Sequence, residues 1–171
     1  MGGQFVTHSG QSARFAHSTH IVITFMTDQT AAPSPPLADD NYCFGCGSSN
    51  PIGLHLTFFW DDETGDYCSV YTPAREHQGW RDRTHGGMVG LVFDEVLSRV
   101  VLEKRGHQWV TAELITRLIR PALIGETLFF RSRIESERSR LIVSVAEARL
   151  ADGTLVATGK SKMMAVPKPE R

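Results

Sequence analysis

The sequence predicts an α+β domain in which one long helix lies across an antiparallel sheet of about six strands. Two observations predict it. Val89, Val92, Phe93, Val96, Leu97, Val100 and Val101 recur at spacings of three and four, which builds one broad apolar helical face. Two segments before that helix and four after it read as strands with polar turns between them, and the period-two alternation is sustained after the helix.

The chain has 171 residues, a formal net charge of −1, 22% charged and 41% hydrophobic residues. These figures describe one ordinary soluble domain, large enough to bury about two thirds of its unfolded surface. The balanced charge gives no footprint for nucleic acid, and no apolar run approaches the ~18 residues a membrane span needs. Cys43, Cys46 and Cys68 form an odd set without a clear signal peptide, so reduced thiols and a cytoplasmic location are expected.

Residues 1–40 show no sustained periodicity and end in Ala-Ala-Pro-Ser-Pro-Pro, so the segment is expected to be a disordered extension. Ile21 to Met26 has the composition of a short strand, but an isolated one. The scarcity of acidic residues there hints at a transit peptide, against which stands a single arginine; Met26 also offers an internal start. The domain is expected over 41–167, with 168–171 as a tail. It opens on the turn-rich Tyr42-Cys43-Phe44-Gly45-Cys46-Gly47-Ser48-Ser49-Asn50-Pro51-Ile52-Gly53. A structural zinc needs four ligands, and beyond Cys43 and Cys46 only His55 and Cys68 lie near, both inside predicted strands. No metal site and no cofactor are therefore expected.

Strands are predicted over 54–60 and 66–71, joined by Asp-Asp-Glu-Thr-Gly, followed by an irregular link over 72–84. After the helix, strands are predicted over 109–120, 127–135, 141–150 and 155–166. Pro121 interrupts the first, a polar turn at 136–139 ends the second, and Asp152-Gly153 closes the last hairpin.

The helix is expected to run to about Lys104, ended by Gly106, and it starts oddly. Thr84 has the hydroxyl of an N-cap, yet Gly86 and Gly87 follow it, each costing roughly 1 kcal/mol against alanine. Such a start suits either unusual backbone angles or a visitor close to bare N–H groups at the positive end of the helix dipole. At 100° per residue, Gly87, Gly90, Asp94 and Ser98 share a second stripe. It has no large apolar side chain, so Asp94 is expected above bare backbone with room for a ligand, while Glu95 faces elsewhere.

These features together resemble the hotdog-fold acyl-CoA thioesterase superfamily, in particular its phenylacetyl-CoA (PaaI) type. Cys43-Phe44-Gly45-Cys46-Gly47 with Asn50-Pro51-x-Gly53-Leu54 is similar to the N-terminal signature of one branch. His77-Gln78-Gly79-Trp80 followed by His85-Gly86-Gly87, with Asp94 nine residues after His85, resembles the core signature. Arg120-Pro121, Gly125-Glu126 and Asp152-Gly153 resemble later turns, so the resemblance covers about 41–166.

The resemblance implies a homodimer or homotetramer whose sheets join, with active sites at the interface and acyl-CoA as substrate. It implies Asp94 as nucleophile or general base, Gly86 and Gly87 as oxyanion donors, and His85 positioning their loop. Gln78 and Thr111 correspond to substrate- or water-binding positions. A backbone oxyanion hole and a carboxylate are sufficient equipment for thioester hydrolysis. No Gly-x-Ser-x-Gly elbow is present to suggest a serine hydrolase. The alternative from another class is an acyl-CoA-binding module without turnover, a sensor or carrier. A hotdog dehydratase would place its Asp and His in another order, and no helix-turn-helix marks a regulator.

Overall fold

In the computed structural model, residues 20–24, 40–106 and 108–166 are described. The expected six strands are β2 (Phe58–Trp60), β3 (Tyr67–Tyr71), β4 (Trp109–Leu118), β5 (Leu128–Arg138), β6 (Leu141–Arg149) and β7 (Leu155–Ala165), with helix α1 (Gly86–Arg105) between β3 and β4. A seventh strand, β1 (His20–Thr24), comes from the segment expected to be disordered. It lies antiparallel on the outer edge of β4, from His20 opposite Arg117 to Thr24 opposite Glu113. For these five residues the expectation of disorder is corrected, and the short strand foreseen there has a partner. The remainder of that extension and the tail from 167 onward lie outside the described residues. The sheet order is β1-β4-β7-β6-β5-β3-β2, antiparallel throughout.

The helix buries its predicted face completely: Val92, Phe93, Val96, Leu97, Val100 and Val101 are each 0% exposed. The first four meet a sheet face built from Leu128, Phe130, Ala148 and Ala157, with Phe93 and Phe130 packed edge to face at 5.0 Å, and Val100 and Val101 pack with Ile142 and Met163. The sheet side also carries serines. Ser132 donates to the Val96 carbonyl and Ser144 to the Leu97 carbonyl, both at 2.9 Å, so polar side chains small enough for close approach are satisfied by helix backbone. Gly159 of β7 also comes close to the helix: a Cβ there would sit 2.4 Å from the Phe93 ring. A bare strand backbone under that ring is what lets α1 settle onto the sheet.

Three boundaries differ from expectation for identifiable reasons. The first predicted strand shortens to Phe58–Trp60 because Leu54 and Leu56 give their N–H groups to Phe44 and Gly45 carbonyls, and His55 takes φ 51°. The predicted turn at 136–139 shifts later, since the ladder to β6 runs on to Arg138 opposite Leu141. The helix N-cap is His85, not Thr84: the His85 Nδ1 accepts from the Gly87 N–H at 2.9 Å, while the Thr84 hydroxyl is buried without a partner. At the other end Gly106 caps the helix as expected, its N–H reaching the Leu102 carbonyl at 2.7 Å. Among the described residues, no helix is long and apolar enough to cross a membrane.

Candidate active site

Asp94 stands two turns into α1 on the glycine stripe, and the stripe faces β4 rather than open solvent. Gly90 is buried, and a Cβ placed on it would lie 3.9 Å from Thr116 Oγ1. Asp94 Oδ1 accepts a 2.9 Å hydrogen bond from the Thr111 hydroxyl. That hydroxyl also lies 3.3 Å from Met163 Sδ; having one proton, it gives it to the carboxylate, the stronger acceptor. Oδ2 has no hydrogen-bond partner among the described residues.

Thr111 reaches the helix side because β4 carries a bulge. Its register against β7 jumps between Thr111 and Glu113: Thr111 pairs with Met163 and Glu113 with Lys162. Strict alternation back from buried Leu114 and Thr116 would turn Ala112 inward and Thr111 outward. The extra residue resets the phase.

Burial pushes the Asp94 carboxyl above its ordinary range; the Thr111 hydrogen bond opposes this and the Glu95 charge adds to it. The result is a carboxylate of raised basicity with one oxygen held and one open, a suitable acceptor for a proton from water.

At the helix start the two expected oxyanion donors separate. The Gly87 N–H is taken by His85 Nδ1, whereas the Gly86 N–H has no acceptor among the described residues. Accepting at Nδ1 fixes His85 as the tautomer with its proton on Nε2, and the His85 N–H is tied to the His77 carbonyl at 2.8 Å. His77 is held in turn: its Nδ1 accepts from the Ala74 N–H at 3.0 Å and lies 2.9 Å from the Tyr71 hydroxyl. Gly86 lines a depression of about 260 Å³ with Thr84, Leu118, Arg120 and Pro121. A larger one of about 490 Å³, lined by Phe59, Val70, Phe129 and Arg149, does not include Asp94.

Gly86 and Asp94 are eight residues apart, so at 1.5 Å per residue they are separated by ~12 Å along the axis. A single thioester carbonyl cannot receive a hydrogen bond from one while being attacked from the other in the same chain. Gln78 is not brought to Asp94 either: it is exposed, and its Oε1 accepts from the Asp82 N–H at 2.9 Å.

Two residues here were not singled out for these positions by sequence reasoning. Thr116 puts a hydroxyl, 1% exposed and unpartnered, beside Gly90; its only sequence signal is a polar residue in an apolar inward series. Glu95 faces the Cys-x-x-Cys loop, where its Oε1 accepts from the Cys43 thiol at 3.2 Å. Arg99, one turn on, donates to Cys46 Sγ at 2.7 Å. Burial pushes the Cys46 thiol up to about 12, with Arg99 opposing and Glu95 adding.

Residues 83–157 match the family model of the thioesterase superfamily. Among solved structures, a phenylacetic acid degradation-related protein of Ralstonia eutropha JMP134, described as a candidate thioesterase, is 29% identical over 66% of this chain and 86% of its own, at TM-score 0.58. The Escherichia coli PaaI protein of the phenylacetic acid degradation operon is 18% identical over 65% of this chain and 83% of its own, also at 0.58. A Bacillus halodurans protein solved with CoA is 18% identical over 68% and 78%, at 0.61. No curated protein matches the chain. The fold is the hotdog fold, and the matched segment is similar to the thioesterase superfamily. Within that fold, the chain resembles the phenylacetic acid degradation-related proteins.

Proposed function

We propose that this protein hydrolyses acyl-CoA thioesters in a site shared between two copies of the chain. The observation that carries the reading is the half-buried Asp94 carboxylate, oriented by Thr111 at 2.9 Å on a stripe of glycines. The CoA-bound structure among the relatives supports CoA as the carrier. Asp94 Oδ2 accepts a proton from water, and the resulting hydroxide adds to the thioester carbonyl carbon. The Gly86 N–H of the second copy donates to the oxygen on which charge develops, where one such donor is commonly worth about 10²–10³ in rate. Collapse breaks the C–S bond, and the CoA sulfur leaves with the proton Asp94 had taken. In the covalent variant Asp94 attacks the carbonyl itself and expels CoA thiolate, and water hydrolyses the anhydride; label found in Asp94 after a single turnover in labelled water, from attack of water on the aspartyl carbonyl, marks that route.

The ~12 Å offset between Gly86 and Asp94 supports the shared site, because only a second copy supplies the missing half within reach. His85 holds the Gly86 segment through its two backbone contacts, and Gln78 shapes the adjoining loop. Steady-state hydrolysis across aryl-, short-, medium- and long-chain acyl-CoA tests the reading. Turnover of at least one class that is lost in Asp94→Asn supports it. Tight acyl-CoA binding with no turnover by the native protein overturns it in favour of a binding module.

A further inference from the structure

We propose that Cys43, Cys46 and Glu95 form a binding site for a divalent metal ion of borderline softness, zinc being the ion this donor set fits. Sequence spacing offers only the two thiols; the fold adds the carboxylate from α1. One ligand atom from each residue lies within 4.8 Å of both others. Zn–S bonds of about 2.3 Å and Zn–O of about 2.0 Å give tetrahedral edges of roughly 3.5–3.8 Å, so closing on an ion takes shifts of ~1 Å or less. The Cys43-to-Glu95 edge is already 3.2 Å.

The loop is built to sit there. Gly47 donates to the Cys43 carbonyl at 2.8 Å, and the Leu54 and Leu56 N–H groups tie Phe44 and Gly45 to the following segment. At Gly45, between the two cysteines, a Cβ would lie 2.4 Å from Glu95 Cδ, so the glycine leaves the carboxylate room to stand beside the thiols. Charge also balances. Two thiolates and a carboxylate on a dication leave one negative charge, and the Arg99 guanidinium donating to Cys46 Sγ neutralises it as an outer partner. Binding replaces two S–H bonds by two metal–sulfur bonds and releases two protons to solvent, with no electron transfer. Water completes the fourth position. Thiols that merely hydrogen-bond account for the Cys43–Glu95 and Arg99–Cys46 contacts one by one, but not for three ligand atoms converging within 4.8 Å of one another. The bound ion would pin residues 43–46 to α1 one position from Asp94.

The test reads metal rather than thioester turnover, so it stands or falls apart from the proposed hydrolysis. Full-length protein, reduced and stripped by chelation, is titrated with cobalt(II). One equivalent per chain with a thiolate-to-cobalt charge-transfer band, bleached by added zinc, is the expected result. Cys43→Ser and Cys46→Ser should each lose the band, and Glu95→Gln should weaken uptake by about tenfold or more, the low end for even an outer partner of a ligand. Circular dichroism checks the fold of each variant; should the serine variants not fold, Glu95→Gln and zinc competition on the native chain decide. Absence of the band, a band that persists in folded serine variants, or a Glu95→Gln protein that binds as tightly as the native one overturns the site. So does a reduced protein that forms a Cys43–Cys46 disulfide and takes up no metal once reduced again.

Discussion

Burial holds the Asp94 carboxyl above the ordinary carboxylate range, and this one residue therefore couples activity to stability. The folded chain keeps a proton on Asp94 at pH values where the unfolded chain has lost it. Its contribution to stability is present below the unfolded value, near 3.8, and is lost as pH rises through the folded value. Asp94→Asn abolishes that loss while keeping an acceptor for Thr111. Its melting temperature at neutral pH should not fall, and its stability should lack the decline that the native protein shows as pH rises above the ordinary carboxylate range. Thermal melts of both proteins across pH check this. Turnover of acyl-CoA should drop in the same variant by on the order of 10²–10⁴, the usual loss when acid–base help is removed. In the native protein the acid limb of kcat/KM for the proposed hydrolysis should sit above the ordinary carboxylate value for the same reason. A native profile flat down to that value would remove Asp94 from the role of base.

The bulge in β4 and the glycine in β7 make different demands on the elements they belong to. Thr111→Ser keeps the hydroxyl and should keep turnover. Thr111→Ala should lower kcat tenfold or more, since a hydrogen bond to a charged group is worth about 1.5–3 kcal/mol. Shifting the hydroxyl by one position, in the double variant T111A/A112T, should not restore the rate, because the bulge and not the alternation decides which side chain faces α1. On β7, Gly159→Ala drives a methyl into the buried Phe93 ring and should cost about 1–3 kcal/mol, read from urea midpoints.

These two features also show where the sequence was readable. The apolar face of α1, its Gly106 stop, the order of strands and the Asp94 stripe follow from local spacing, and all but the outlook of the stripe appear as expected. The Asp94–Thr111 contact depends on a register jump, and the availability of the Gly86 N–H depends on a histidine ring folding back over Gly87. Glu95 meets the cysteine loop across 52 residues of chain. Such features arise between elements, and a single strand's or helix's periodicity does not encode them.

For the molecule as a whole, the offset between Gly86 and Asp94 means that the proposed shared site needs two copies of the chain. Light scattering at micromolar concentration should give a dimer or a tetramer. Trp80, 83% exposed, lies in the loop preceding the helix start and suits a partner surface better than water. A monomeric mass alongside full turnover would contradict the shared site. Deleting residues 1–38 removes β1 and leaves in place both apolar clusters of the described residues, which span 54–163. The truncated chain should therefore keep its fold, with a cooperative melt as the check.

The position of β1 has a further consequence for how such a protein meets copies of itself. A sheet edge offers one row of donors and acceptors, and residues 113–117 of β4 spend theirs on a strand from their own chain. Any other strand seeking that row competes with an occupant whose effective concentration is set by its tether and does not change on dilution. The N-terminal segment thus behaves as an internal competitor, lowering the apparent affinity of any association through β4. If copies join along that edge, sedimentation equilibrium should show the 1–38 deletion associating at lower concentration than the full chain. Equal dissociation constants would place the junction on some other face.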